Sequence, residues 1–149
     1  MEVENNSSLK SSVFGGAGKS TSLALTLAAL RIMTGLLFLE HGMAKIFDYP
    51  FDAQSSPLPL TGMIGAAAVL EFGGGILVTL GLFTRVTSFI LCGQMAVAYF
   101  LYHAPQDFFP IHNHGESSIL FCFIFLHLAV AGPGAISVDS LRKRLALKI

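Results

Sequence analysis

The chain has 149 residues, of which 53% are hydrophobic and 12% are charged, and its formal net charge at pH 7 is zero. Soluble domains carry about 25% charged residues, so this composition excludes an ordinary soluble domain and indicates a membrane protein. A zero net charge gives no reason to expect a nucleic acid as partner. The length predicts one domain, and four membrane spans of roughly 20 residues each would use most of it.

Apolar runs divide the chain into tails and membrane spans. Residues 1–21 are rich in Ser, Asn and Gly and predict a disordered N-terminal tail. The four predicted spans cover residues 22–47, 60–83, 86–103 and 116–136. A short basic C-terminal tail follows over residues 137–149. The predicted fold class is therefore an all-α integral membrane four-helix bundle, with the four-span domain at residues 22–136.

The lysine and arginine residues between the spans are distributed unevenly. Seven of them lie in the N-terminal tail, in the Thr84-Arg85 turn and in the C-terminal tail, and the other two loops contain none. Cytoplasmic loops are enriched in Lys and Arg. The pattern therefore predicts that both termini are cytoplasmic and that the proline-rich and histidine-rich loops lie on the other side.

Glu71 stands near the centre of the second predicted span, where a carboxylate costs roughly 2.5–3.5 kcal/mol on insertion scales. Counted from the predicted span ends, Arg31 and His127 fall at a similar depth. We predict that Arg31 and Glu71 form an ion pair, since each would otherwise be an isolated charge in hydrocarbon. A pair with a purely structural role is the alternative. His127 by itself is predicted to be a packing histidine.

A second cluster of polar residues is predicted at the membrane face opposite the termini. Its members are Glu40, His41, Lys45, His103, His112, Asn113, His114 and Glu116. Imidazole and carboxylate groups here could relay protons or hold a quinone headgroup. The alternative is a solvated loop with polar helix caps. The spacing of His112 and His114 is not that of a metal site, so no metal is predicted.

Both cysteines lie inside predicted spans, Cys92 in the third and Cys122 in the fourth. Counting along the spans places them at depths that differ by roughly 10 Å. That separation is too large for a disulfide. The prediction is two small packing residues.

Four short motifs resemble those of the DoxX family of membrane proteins. In chain order they are Arg31…Gly35…His41-Gly42-x-x-Lys45, Glu71-Phe72-Gly73-Gly74 with Gly81-Leu82-Phe83-Thr84-Arg85, Asn113-x-Gly115-Glu116, and Gly132-Pro133-Gly134-x-x-Ser137-x-Asp139. Together they cover nearly the whole chain, from residue 27 to residue 139. The resemblance implies a multi-pass protein of the bacterial inner membrane. It also implies a link to a thiosulfate:quinone oxidoreductase small subunit and to membrane complexes that handle thiol and oxidative stress.

The leading hypothesis is a small membrane subunit of a redox system that binds quinone or supports electron transfer for a partner. Glu71 and Glu116 are the candidate catalytic residues, because carboxylates at these places could handle protons. The candidate cofactor-binding residues are Arg31, His41, Lys45, Asn113 and His103. The expected partners are the lipid bilayer and a membrane or membrane-associated redox protein.

Two other functions remain open at this point. Helix faces lined with small residues also suit a non-enzymatic membrane scaffold or assembly factor, in which the buried ion pair is structural. A small-solute or proton pathway along Glu71 is the third hypothesis. It ranks last because four short helices enclose little room.

Overall fold

The described part of the computed structural model comprises residues 3–50 and 61–146, with side chains from residue 20 onward. These residues form helices and turns without any strand, so the all-α prediction is confirmed. The helices are α1 (Val3–Phe47), α2 (Gly62–Leu80), α3 (Thr84–Ala98), α4 (Glu116–Ala131) and α5 (Val138–Ala146). α3 continues into a π-helical turn over Tyr99–His103.

Three helical stretches are long and apolar enough to cross a membrane: Ser20–Phe47 within α1, Gly62–Leu80, and Thr84–His103. α4 is also apolar, but it has 16 residues and ends well before the predicted boundary at residue 136. Gly132 follows it with a φ of 91°, and Pro133 cannot donate a backbone hydrogen bond, so the helix stops there.

The first helix differs from the sequence prediction. α1 is helical from Val3, whereas composition predicts a disordered tail over residues 1–21. No proline precedes Pro50, so nothing in the covalent chain stops the helix of the apolar segment from extending towards the N-terminus. Most of the proline-rich loop, residues 51–60, lies outside the described part of the chain.

Glycines determine the register of the antiparallel pair formed by α1 and α2. A Cβ atom added to Gly35 would lie 2.7 Å from the Thr79 backbone nitrogen, and one added to Gly75 would lie 2.7 Å from the Leu39 Cα. Gly42 meets the backbone of Phe72 in the same way. Small residues thus allow the two backbones to touch at three successive levels.

This register contradicts the predicted ion pair between Arg31 and Glu71. Extending the contacts along the helices places the two residues about 12 positions apart, or roughly 18 Å along the axis. The predicted depths of Arg31 and Glu71 depend on where the membrane spans begin and end. The prediction was wrong because α1 is much longer than one span and because its contacts with α2, rather than its ends, decide which residues face each other.

The two cysteines also lie differently from the prediction. Cys92 Sγ on α3 is 3.6 Å from Cys122 Sγ on α4, and both are free thiols packed against the core. The predicted difference in depth is therefore wrong. α4 is short and begins after a loop whose Asn113 and Gly115 are buried, so Cys122 lies deeper than a count from the membrane surface suggests.

A core of apolar side chains joins the α1–α2 pair to the α3–α4 pair. Its buried members are Phe38, Val78, Leu91, Met95, Phe125 and Leu128. The rings of Phe38 and Phe125 meet edge to face with their centroids 4.8 Å apart. This is a favourable geometry for two aromatic rings and holds the two pairs together.

Arg31 is fully buried and bonds to four backbone carbonyl oxygens. Nε donates to Pro133 O at 2.8 Å, and the NH1 nitrogen donates to the carbonyls of Val78 at 2.7 Å and Thr79 at 2.5 Å. The NH2 nitrogen donates to Ile136 O at 2.8 Å. The last carbonyls of α2 have no partner within the helix, and they carry its negative dipole end. Arg31 thus joins α1, the end of α2 and the chain after α4.

Asp139 at the start of α5 serves the first turn of α3. Its Oδ1 accepts from the Phe83 backbone at 2.9 Å, and its Oδ2 accepts from the backbone and hydroxyl of Thr84 at 2.9 and 3.0 Å. Desolvation raises the pKa of Asp139, but the hydrogen bonds from Thr84 and Phe83 and the charge of Arg142 outweigh it and hold this pKa below its usual value. A side chain from another helix therefore caps α3.

Replacing Arg31 by lysine should lower the stability of the protein by on the order of 2–4 kcal/mol, because one ammonium group cannot serve four carbonyls in different directions. Thermal unfolding of the purified protein in mild detergent would measure the loss. Arg144→Lys, at an exposed position of α5, is the matched control and should leave the unfolding temperature unchanged. Equal unfolding temperatures for the two variants would contradict the structural role of Arg31.

The low pKa of Asp139 predicts a pH dependence of stability. A carboxyl whose pKa is lower in the folded than in the unfolded state stabilises the fold above its unfolded pKa, about 3.9, and this contribution is lost as the pH falls through the folded pKa. We expect the unfolding temperature to fall less between pH 6 and pH 3 in Asp139→Asn than in the wild type. These limits lie roughly two pH units above and one pH unit below the unfolded pKa. Glu40→Gln, which removes an exposed carboxyl, should follow the wild-type curve.

Candidate functional site

A cavity of about 720 Å³ lies among α1, α2, α3 and α4, beside the π-helical turn that ends at His103. We call it the His103 cavity. Its polar wall residues are His41, Lys45, Glu71, Gln94, Tyr102, His103, Ser117 and Ser118. The other wall residues, among them Phe38, Met63 and Ile90, are apolar. A mostly apolar pocket of this size with a few convergent polar groups is typical of a small-molecule site.

The charged partner of Glu71 is Lys45. The Nζ atom of Lys45 lies 2.5 and 2.6 Å from the two carboxylate oxygens of Glu71. The Glu71 side chain is 4% exposed, whereas that of Lys45 is 28% exposed. Gly42 precedes Lys45 by one turn and allows α1 to touch the backbone of α2 at Phe72, which brings the pair within reach. The buried carboxylate is thus neutralised by a cation that still faces the cavity.

Gln94 on α3 is the second partner of Glu71. Its Nε2 donates to Glu71 Oε1 at 3.2 Å and to Ala67 O at 3.3 Å. Because both of these atoms are acceptors, the amide must turn its NH₂ group towards them. The amide oxygen, Oε1, is then buried without a hydrogen-bond partner. Buried acceptors without a partner are uncommon and costly in proteins, so Gln94 is a candidate functional residue of the cavity wall.

Sequence reasoning missed Gln94, although a signal was present. It is the only carboxamide side chain in the third predicted span, residues 86–103. Polar residues in membrane helices usually face the bundle interior or a cavity. Gln94 is neutral, so it does not stand out among the charged groups and histidines on which the predicted site is based.

The loop before α4 orients His103. The Nδ1 atom of His103 lies 2.9 Å from the backbone oxygen of Asn113. A carbonyl oxygen can only accept, so Nδ1 carries the hydrogen, and Nε2 of the neutral ring is an acceptor. Asn113 itself is buried, with Oδ1 accepting from Gly115 N and Nδ2 donating to Asp107 O, each at 2.8 Å. It therefore shapes the loop and fixes the imidazole from behind.

The structure brings only part of the predicted site together. Four predicted residues line the His103 cavity: Glu71, His41, Lys45 and His103. Asn113 lies behind this wall. Arg31 lies at the other end of the bundle on backbone carbonyls. Glu116 is exposed in the first turn of α4 and does not line the cavity, nor do Glu40, His112 and His114, which are also exposed.

His127 does not have the predicted packing role. It is exposed on α4 and contributes to a different cavity, which also contains Arg85. On α4, Phe125 and Leu128 face the core. Helical periodicity about these two residues directs His127 away from the bundle interior.

These features define an all-α integral membrane protein with a mostly apolar cavity among its helices and a few polar groups in the cavity wall. The sequence model of the DoxX family matches residues 26–104, which is more than half of the chain, and the chain belongs to this family. The motifs around Asn113 and Gly132 lie beyond the matched range. No solved structure matches the chain.

Related proteins extend the comparison over about three quarters of the chain. An uncharacterized protein of Haemophilus influenzae is 40% identical over 122 residues, which cover 76% of this chain and 88% of the relative. The inner membrane protein YqjF of Escherichia coli K12 is 33% identical over 119 residues, covering 74% and 87%. The Bacillus subtilis protein named "Putative oxidoreductase CatD" is 26% identical over 117 residues, covering 74% and 81%.

The names of the relatives and the apolar helices of this chain together establish where the protein is located in the cell. A second Escherichia coli relative, YphA, is also named as an inner membrane protein. With its apolar helices, the present chain is likewise a multi-pass protein of the inner membrane.

Proposed function

We propose that the protein is a small membrane subunit of a redox system and that its His103 cavity holds the headgroup of a quinone. The observation that carries this proposal is the Lys45–Glu71 pair in the wall of a largely apolar cavity, together with Gln94, whose amide oxygen is buried beside it without a partner. The name of the Bacillus subtilis relative, an oxidoreductase, supports a redox role.

The cavity suits an apolar ring with oxygens at its edge. Aromatic and aliphatic wall residues such as Phe38, Met63 and Ile90 can contact a ring, and about 720 Å³ is within the usual range for bound small molecules. Leu70 and Val97, which are part of the same wall, are partly exposed on the outside of the bundle. An isoprenoid tail could leave the cavity between them towards lipid.

Hydrogen bonding at Gln94 and His103 favours the reduced form of the ligand. Gln94 Oε1 and the Nε2 atom of a neutral His103 are both acceptors, so each calls for a donor. A hydroquinone has two hydroxyl donors, whereas the oxidised quinone has none. When bound, the group would supply two electrons and two protons for exchange with a partner.

Protons would be handled by His103 and Glu71. His103 Nε2 can accept a hydroxyl proton, and Asn113 O keeps the other ring nitrogen protonated throughout. Glu71, held between Lys45 and Gln94, provides negative charge close to the same wall. We assign no such task to Glu116, because it is exposed outside the cavity. The electrons would pass to or from a membrane or membrane-associated redox protein.

Binding of decylubiquinol under argon tests the proposal. Equilibrium dialysis of the detergent-solubilised wild type should show saturable binding. Gln94→Leu should weaken binding by about tenfold, the effect of losing one hydrogen bond of about 1.4 kcal/mol. Oxidised decylubiquinone should bind more weakly than the reduced form and should be less sensitive to this substitution.

Gln106→Leu is the matched control, because it removes the same group from an exposed loop outside the cavity. It should bind decylubiquinol like the wild type. Lack of saturable binding by the wild type, or equal affinities of the Gln94 and Gln106 variants, would show the proposal to be wrong.

A membrane scaffold is the alternative function that a specific observation favours. All four contacts of Arg31 are structural, and the glycine contacts of α1 and α2 build a rigid pair. A scaffold would keep the activity of its complex after Gln94→Leu or Glu71→Gln, provided that the variant protein is still present at the normal level. If the protein is instead a quinone-binding subunit, the same substitutions would abolish the activity of the complex.

We also propose that four helices span the membrane with both termini in the cytoplasm, because Arg85 and the basic residues of α5 lie at the same end of the bundle. A membrane-impermeant maleimide should label His114→Cys in intact cells and should label Arg144→Cys only after lysis. Both changes are made in a Cys92→Ser, Cys122→Ser background. The reverse labelling pattern would overturn this orientation.

A further inference from the structure

A second cavity, of about 1300 Å³, lies at the opposite end of the bundle from His103. It is bounded by α1, the first turn of α3, the end of α4 and α5, and we call it the Arg85 cavity. None of the residues proposed to bind quinone lines this cavity. Its wall has a basic part and an apolar part.

One part of the wall is basic. Arg85 from α3 and Arg142 and Lys143 from α5 contribute to it, and the acidic residue beside them is Asp139. Both oxygens of Asp139 already accept hydrogen bonds from Phe83 and Thr84. Within the described residues, none of the three basic side chains forms an ion pair at 4 Å or less. The cavity therefore has an excess of positive charge.

The two arginines have donors to spare. Arg85 reaches the carbonyls of Ala129 and Ala131 only at 3.5 Å, the limit of hydrogen bonding. The guanidinium carbon of Arg142 lies 5.3 Å from the centre of the Phe83 ring, a cation–π contact that leaves its N–H groups available. An arginine offers five N–H donors that match phosphate oxygens well.

The other part of the wall is apolar. Leu23, Leu27 and Leu30 follow one another along α1, and Val86 lies opposite on α3. Leu23 is 64% exposed and Val86 is also 64% exposed, so this strip opens onto the outside of the bundle. Two acyl chains could lie along it.

α5 has the character of a helix at a membrane surface. Leu141 and Leu145 point to one side and are both 56% exposed, whereas of the cavity residues Arg142 lies beside that strip and Lys143 lies on the opposite face. An amphipathic helix with leucines on one face and basic residues on another lies in the interface between headgroups and acyl chains. Asp139 and Arg31 fix the chain at the start of α5, which places this helix at the cavity.

We infer that the Arg85 cavity binds an anionic phospholipid. The phosphodiester contacts Arg85, Arg142 and Lys143, and the acyl chains lie along the leucines of α1 and Val86. Basic pockets between membrane helices bind anionic headgroups in this manner. A free phosphate ion would leave the apolar half of the wall without a contact, so a lipid is the occupant that matches the whole cavity.

Lipid titration of the full chain tests this inference. The protein is purified in a neutral detergent and titrated with phosphatidylglycerol or with phosphatidylcholine of the same acyl chains, and native mass spectrometry and thermal unfolding are recorded. Phosphatidylglycerol should bind at least about tenfold more tightly than phosphatidylcholine. It should also raise the unfolding temperature. Inorganic phosphate at the same concentration should have no effect.

Variants that each lack one arginine charge test which side chains bind the lipid. Arg85→Gln and Arg142→Gln should each reduce the preference for phosphatidylglycerol severalfold. Arg144→Gln, on the same helix but outside the cavity wall, should retain the wild-type preference. Equal binding of the two lipids to the wild type would overturn the inference. So would an equal effect of inorganic phosphate, or a loss in Arg144→Gln as large as in Arg85→Gln. Decylubiquinol binding is measured separately, so failure at one cavity does not decide the other.

Discussion

The need to satisfy backbone carbonyls inside a membrane is the constraint on which this structure depends. Helices cross lipid because their own hydrogen bonds satisfy the backbone, but helix ends and turns do not have this advantage. Arg31 solves the problem at one end of the bundle. A single buried guanidinium serves two carbonyls of the last turn of α2 and two of the segment after α4. Without it, the carbonyl oxygens of Pro133 and Ile136 in the segment after α4 would lose the donor that Arg31 provides.

Asp139 complements Arg31 at the same end. Arg31 supplies donors to the carbonyl end of α2, and Asp139 supplies acceptors to the amide end of α3. Both helix dipoles are thereby matched by a side chain of opposite charge. The two residues come from opposite ends of the chain, and together they hold the short α5 against the helical bundle. This arrangement explains why the motifs around Arg31, Gly81 and Asp139 occur in one protein.

The polar groups at the other end of the bundle have a different character. Lys45 and Gln94 neutralise and orient Glu71, but the amide oxygen of Gln94 remains without a donor. An arrangement selected only for stability would satisfy this atom or replace it by an apolar group. Arg31 and Asp139 at one end of the bundle bond to backbone groups, whereas at the other end a buried carboxylate, its lysine partner and the amide of Gln94 lie beside a cavity. This difference is the physical reason for proposing a ligand at the His103 end.

The amino-acid sequence by itself determined the helices, their apolar character and the family, because hydropathy and short motifs are local properties. It also identified Glu71, His41, Lys45 and His103, since charged and imidazole groups stand out in apolar runs. Only the tertiary structure decided that Lys45, not Arg31, meets Glu71, that the two thiols touch, and that Gln94 completes the site. These facts depend on helix register. Register follows from close contacts such as Gly35 with Thr79, which join residues far apart in the chain. The spacing of the glycines indicates a contact face, but it does not say which residues of the other helix that face meets.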